Sequence, residues 1–180
     1  MEIHKECAMP NSKTFKIKPI KRLILKYAKS LGNKSIVVDP FANESSIAQN
    51  LPLGTTYVSN DLDTQYDTTY HLDALDFLKQ FKDNSADLVL FDPPYSPRQI
   101  SECYKKFGRT VTTQDTSSKP FAELKKEIAR ILRIGGICIS CMWNTNGIGK
   151  GLGMEQIEIL LVAHGGMHND TLCVVEKKTK

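Results

Sequence analysis

Four consecutive residues, Asp92-Pro93-Pro94-Tyr95, carry the most specific chemistry in this 180-residue chain. Two successive prolines remove two N–H donors and hold the backbone extended. They fix a carboxylate, the Pro93 carbonyl and an aromatic ring in one rigid cluster. The segment 86–94 is apolar from Leu88 through Phe91 and reads as a buried strand, so the cluster stands just past the strand's end. The alternative is a plain strand stop with Tyr95 packed locally, which would need neither the acid nor the ring. Asp39, Asp61, Asp73 and Asn144 also fall at the ends of predicted strands. Packing alone gives little reason for a carboxylate past each of four successive strands, although each acid alone would also serve as a helix N-cap.

The elements that must place these residues follow from periodicity. Pro19 opens a helical pattern in which Leu23, Ile24, Tyr27 and Leu31 recur on one face, with Gly32 as C-cap. Strands are predicted over 35–42, 55–62, 68–73, 86–94, 137–144, 157–165 and 171–177. Helices are expected directly after 73 and over 121–136, where Gly135 and Gly136 end the pattern. Strands alternate with helices until the last two, which adjoin through a turn. Alternation predicts a parallel sheet covered on both faces, and the final pair adds an antiparallel strand. Ligands of such sheets bind beyond the carboxyl ends of the strands, at the point where strand order reverses. Residues 1–15 read as a polar arm, and 96–119 as a mobile loop with a short helix at 98–107.

Composition narrows the function classes. At 41% hydrophobic and 24% charged residues, the chain is neither disordered nor fibrous, and its length suits one domain with its own core. No apolar run approaches the roughly 20 residues of a membrane span, and the first residues show no secretory signal. Five cysteines without a dense framework read as reduced, buried thiols. The net charge of +4 is segregated: +7 over residues 1–34, −8 over 35–95, +3 over 96–119 and +2 over 120–180. Basic flanks around an acidic centre suit a polyanion held at the rim of a pocket that also takes a cationic ligand; a lysine-rich solvated surface is the simpler alternative.

The Asp92–Tyr95 cluster resembles the signature of S-adenosylmethionine-dependent amino-group methyltransferases, and Asp-Pro-Pro-Tyr is typical of the adenine-N6 enzymes acting on DNA. The likeness extends over nearly the whole chain. Asp39-Pro40-Phe41-Ala42 is similar to that family's cofactor motif, Asp61 to its ribose-binding acid, and Phe15 to Pro19 to its N-terminal cofactor segment. The resemblance implies an α/β, Rossmann-like class I methyltransferase domain over 1–180, with a mostly parallel seven-stranded sheet, a C-terminal antiparallel hairpin strand and helices on both faces. It implies S-adenosylmethionine as cofactor, no metal, and a cytoplasmic enzyme of bacterial or phage origin. Asp92, Pro93, Pro94 and Tyr95 would be catalytic. Lys18, Pro19, Asp39, Pro40, Phe41, Asn43, Ser45, Asp61, Leu62, Asp73 and Ala74 would hold the cofactor: Lys18 at its carboxylate, Asp61 at the ribose hydroxyls, Asp73 at the adenine amino group. Arg98, Lys105, Lys106 and Arg109 would contact nucleic-acid phosphates, and Asn144 would line the pocket or simply form a turn.

The chemistry of such a motif is orientation. An exocyclic amine is a poor nucleophile because its lone pair is delocalised into the ring. Hydrogen bonds from the NH2 to the Asp92 carboxylate and the Pro93 carbonyl favour a pyramidal nitrogen. Asp92 can then relay the proton lost after transfer, and Tyr95 would stack on a base flipped from its helix. The chain departs from the family's Asp-x-Phe-x-Gly-x-Gly, with Asn43 and Ser45 in place of the two glycines. Asn43 suits a left-handed turn, and the Ser45 hydroxyl would cap a following helix.

Two other functions remain open. The same corner would serve amino groups of RNA, at adenine N6 or guanine N2, and the lack of a segment large enough for a separate target-reading domain favours RNA. The altered 39–45 segment also fits an inactive binding module on this fold. Cys138-x-x-Cys141 lies within a predicted strand, where the two thiols face opposite sides and cannot share a metal.

Overall fold

The computed structural model describes residues 1–94, 99, 101–102 and 118–180. Tyr95, Arg98, Lys105, Lys106, Arg109 and most of the loop expected over 96–119 lie outside the described residues.

Seven strands form one sheet: β1 (Glu2–Cys7), β2 (Ile36–Asp39), β3 (Thr56–Ser59), β4 (Ala86–Phe91), β5 (Leu132–Met142), β6 (Met154–Ala163) and β7 (Thr171–Lys178). Their spatial order is β1-β6-β7-β5-β4-β2-β3. All neighbours pair in parallel except β7, which runs antiparallel to both β5 and β6. Order reverses between β2 and β4, the place where open sheets of this kind take ligands.

Helix α1 (Lys18–Ser30) covers one face, and α2 (Ala74–Leu78) and α3 (Ser118–Ile131) cover the other. In α1 the buried Ile20, Leu23, Ile24 and Ala28 lie on one side at helical spacing. Pro19 stands in the first turn, where its missing N–H is not needed, and Gly32 leaves the helix at φ +80°. Every residue of β4 is buried, with Leu88 and Leu90 facing α1 and Val89 and Phe91 facing α3. Full burial of such aliphatic side chains contributes about 1.5–3 kcal/mol each, so these two cores dominate stability.

Four expectations change. Residues 1–15 are more than an arm, because Glu2–Cys7 forms an edge strand beside β6. Its face pattern is mostly exposed, so it carries no apolar periodicity to betray it. Residues 68–73 are not a strand. They keep a single parallel bridge, Asn60 to Tyr70, with Tyr70 N–H donating to the Ser59 carbonyl at 3.0 Å. Tyr70 and Leu72 both stay exposed, although the Tyr70 ring leans on Phe77, so the segment buries too little apolar surface to join the sheet as a strand. The helix expected to reach 136 ends at Ile131, and β5 starts at once. Gly135 and Gly136 serve a bulge, in which Ala86 pairs with Leu132 but Leu88 with Ile137. No α-helix follows Ser45; the chain makes turns and a short 3-10 segment over Ala48–Asn50.

Candidate active site

Past Phe91 the chain turns out of the sheet as Asp92-Pro93-Pro94, at the carboxyl end of β4 and beside the end of β2. A cavity of about 810 Å³ opens there. Of the residues singled out in the sequence, Pro40, Phe41, Asn43, Asp61, Leu62, Asp73, Ala74, Asp92, Pro93 and Pro94 line it. Lys18, Pro19, Asp39, Ser45 and Asn144 do not. Lys18 and Pro19 open α1, with Lys18 exposed and Pro19 buried. Asn144 accepts the Asn146 N–H at 3.0 Å, which is the turn-forming alternative.

Asp39 is fully buried behind the cavity wall. It accepts the Tyr57 hydroxyl at 2.7 Å and the Phe41 N–H at 3.3 Å. Burial pushes its carboxyl up to about 7, against the two hydrogen bonds and helped by the charges of Asp92 and Asp61. Burial and the neighbouring Asp39 also push the Tyr57 phenol up. Asp39 therefore positions the turn that follows β2 rather than facing a ligand.

Asp61 does both. Its Oδ2 accepts the Asn43 N–H at 2.8 Å and its Oδ1 the Asp63 N–H at 2.9 Å. Each oxygen has a second lone pair, so the carboxylate can still accept hydroxyl donors from the cavity. Asp73 caps α2 through the Leu75 N–H at 3.1 Å and also lines the cavity. The buried Asn60 stitches the wall together. Its amide donates to the carbonyls of Pro40 and Leu72 at 3.1 and 3.0 Å, and its oxygen accepts the Leu72 N–H at 2.9 Å.

Asn43 and Ser45 stand where glycines were expected, and both hold a left-handed backbone, at φ +50° and +52°. The Asn43 side chain steadies its turn by accepting the Glu44 N–H at 3.0 Å. The Ser45 hydroxyl is buried and caps no helix. The loop thus keeps the path that glycines would give it, at a backbone cost of about 1–2 kcal/mol for the serine.

Periodicity did not reveal the strap formed by residues 8–17. Because β1 lies outside β6, the chain must cross the carboxyl edge of the sheet to reach α1, and residues 10–15 wall the cavity as they do so. One end is tied by Ala8 N–H to the Ala163 carbonyl at 3.1 Å, and by His164 Nδ1 to the Ala8 carbonyl at 2.9 Å. At the other end Lys13 and Lys16 both pair with Glu44, and they hold its carboxyl below the usual range. Phe121, Trp143 and Thr171 complete the walls, and no motif in the sequence singled them out. Cys138 and Cys141 lie in opposite cores, as their spacing requires. Among the described residues, no helix is long and apolar enough to cross a membrane.

The residues present fit S-adenosylmethionine. Asp61 offers acceptors for hydroxyls, Asp73 an acceptor for an amine, and Phe41, Leu62, Ala74 and Leu75 apolar walls, within a space large enough for more than one small ligand.

No family model and no curated protein matches the chain. Solved structures do match. TrmN from Thermus thermophilus is 16% identical with a TM-score of 0.59, over 90% of this chain and 49% of that one. The N-methyltransferase NodS from Bradyrhizobium japonicum is 8% identical with a TM-score of 0.63, over 95% and 100%. The Burkholderia thailandensis 1,6-didemethyltoxoflavin-N1-methyltransferase, solved with bound 1,6-didemethyltoxoflavin and S-adenosylhomocysteine, is 10% identical with a TM-score of 0.58, over 86% and 76%. The chain thus spans about half the length of TrmN. At such identities the likeness is one of fold, and the fold of this chain is the Rossmann-like sheet that carries the two named methyltransferases.

Proposed function

We propose that the protein transfers a methyl group from S-adenosylmethionine to the exocyclic N6 amine of adenine in DNA. The observation that carries this reading is the Asp92-Pro93-Pro94 corner, set at the switch point on the wall of a cavity that Asp61 and Asp73 also line. The cofactor, held by Asp61, Asp73 and the loop 40–44, supplies an electrophilic methyl group on a sulfonium. The Asp92 carboxylate and the Pro93 carbonyl accept the two amine hydrogens, aim the nitrogen lone pair and offset the charge that develops on it. Asp92 then accepts the proton that the methylated nitrogen must lose. Tyr95, next in sequence, would stack on the extruded base. Asp39 keeps the 40–43 turn in place through its bond to the Phe41 N–H. Arg98, Lys105, Lys106 and Arg109 are proposed phosphate contacts by sequence alone.

The test is incubation with labelled cofactor and mixed-sequence DNA or RNA, followed by nucleoside mass spectrometry. N6-methyladenine in the DNA arm is expected. Methylated adenine or guanine only in the RNA arm would move the same chemistry to RNA. No transfer to either would overturn the reading.

A further inference from the structure

The cavity is chemically lopsided. Its β2–β3 end is acidic, with Asp61, Asp73 and Asp76 in the wall. Its β5–β7 end is built from Trp143, His164, His168, Asn169 and Thr171, none of them a carboxylate. An uncharged planar group belongs at the end away from these carboxylates, and Trp143 brings an indole to the wall there.

Trp143 follows directly on β5, 43% exposed and facing the cavity. The parallel register of β4 and β5 pairs Phe91 with Ser140. Just past the ends of these two paired strands, Trp143 and the Asp92-Pro93-Pro94 corner line the same cavity. Strand alternation agrees. Ile139 and Cys141 point to the α1 face, as do Leu88 and Leu90 on β4. Trp143 and Asp92 continue those two series on the same face, where the strap closes the cavity from above. A side chain this large keeps so much open surface most economically where a ligand covers it, and indole faces stack on any base.

We propose that Trp143 is a stacking wall for the base that receives the methyl group. The proposal rests on the nucleic-acid reading above and adds to it the residue that discriminates a base from an empty backbone.

Trp143 is the chain's only tryptophan, so its fluorescence reports on this place alone. Full-length protein saturated with S-adenosylhomocysteine is titrated with a twelve-residue oligodeoxyadenylate and with an abasic strand of equal length. Saturable quenching by the first and none by the second is expected. Trp143→Ala should raise KM for nucleic acid about 5- to 150-fold, the range of one base–aromatic stack. Trp143→Phe should recover most of that, and the Kd for S-adenosylhomocysteine should hold within about threefold in both variants. Unmoved fluorescence at saturating oligonucleotide, equal quenching by the abasic strand, or an unchanged KM in Trp143→Ala would overturn the proposal. If Trp143→Ala does not fold, the wild-type titration and Trp143→Phe decide the matter. Methyl transfer that proceeds while the indole is unmoved sinks this inference alone; quenching without any transfer sinks the function and with it the methyl-accepting role of the stacked base.

Discussion

Asp39 makes the protein less stable as pH rises through the near-neutral range, and Asp39→Asn should remove its share of that dependence. Burial lifts the carboxyl from 3.8 to about 7. A raised acid pKa means that the folded state binds more protons than the unfolded state between those values. Stability then falls as pH climbs from about 4 to about 7 and levels off above. Between pH 5 and pH 7.5 the linkage relation gives a loss of about 2.5 kcal/mol from this one group. Asn keeps the shape, accepts the Phe41 N–H and offers its amide to the Tyr57 oxygen, but does not titrate. With a urea m-value of about 2 kcal/mol/M, the wild-type midpoint should fall roughly 1 M further than that of Asp39→Asn between pH 5 and pH 7.5. Glu44 and Glu158 are pulled down by lysines, so their stabilising contributions are lost only at more acid pH. Glu176 is pushed up by burial, in the same sense as Asp39, but it is common to both proteins and cancels in the comparison. Parallel pH profiles for wild type and Asp39→Asn would refute the argument that this carboxyl is protonated because it is dry.

Asp92→Ala should cut kcat by about 10²–10⁴-fold, as loss of an orienting acid–base group does, with the Kd for S-adenosylhomocysteine within about threefold by calorimetry. Asp61→Asn leaves one of the Asn43 and Asp63 amides without its acceptor and weakens the hydroxyl site; the Kd for S-adenosylhomocysteine should rise roughly 10- to 100-fold. Ser45→Gly relieves a left-handed backbone but loosens the unfolded chain, and a net gain of up to about 1 kcal/mol should raise Tm by about 2–4 °C. Gly147→Ala should cost about 2 kcal/mol or more in urea unfolding. Gly147 holds φ +55°, and an added Cβ would strike the Glu176 carboxylate, which accepts the Ile148 and Gly149 N–H groups.

The Asp92-Pro93-Pro94 corner was legible because it is local. Five apolar residues within 86–91, then an acid and two prolines, define a buried strand, its end and a rigid turn with little help from the rest of the chain. Helix α1 and the opposed thiols of Cys138 and Cys141 were legible for the same reason, since periods of 3.6 and 2 are properties of the backbone. The misreadings share another cause. The segment 68–73 has strand-forming residues, but Tyr70 and Leu72 stay more than a third exposed, and pairing stops after the one bridge at Tyr70. The segment Glu2–Cys7 lacks an apolar stripe, yet it becomes a strand because β6 offers it an open edge. Once β1 sits there, the strap must cross the mouth of the sheet, and residues 10–15 become cavity wall without any signal of their own. Likewise Asn43 and Ser45 are not glycines, but hydrogen bonds from neighbouring elements hold that loop in the path glycines would take. Pairing, crossing and burial depend on which surfaces meet, and residues far apart in the chain settle that together.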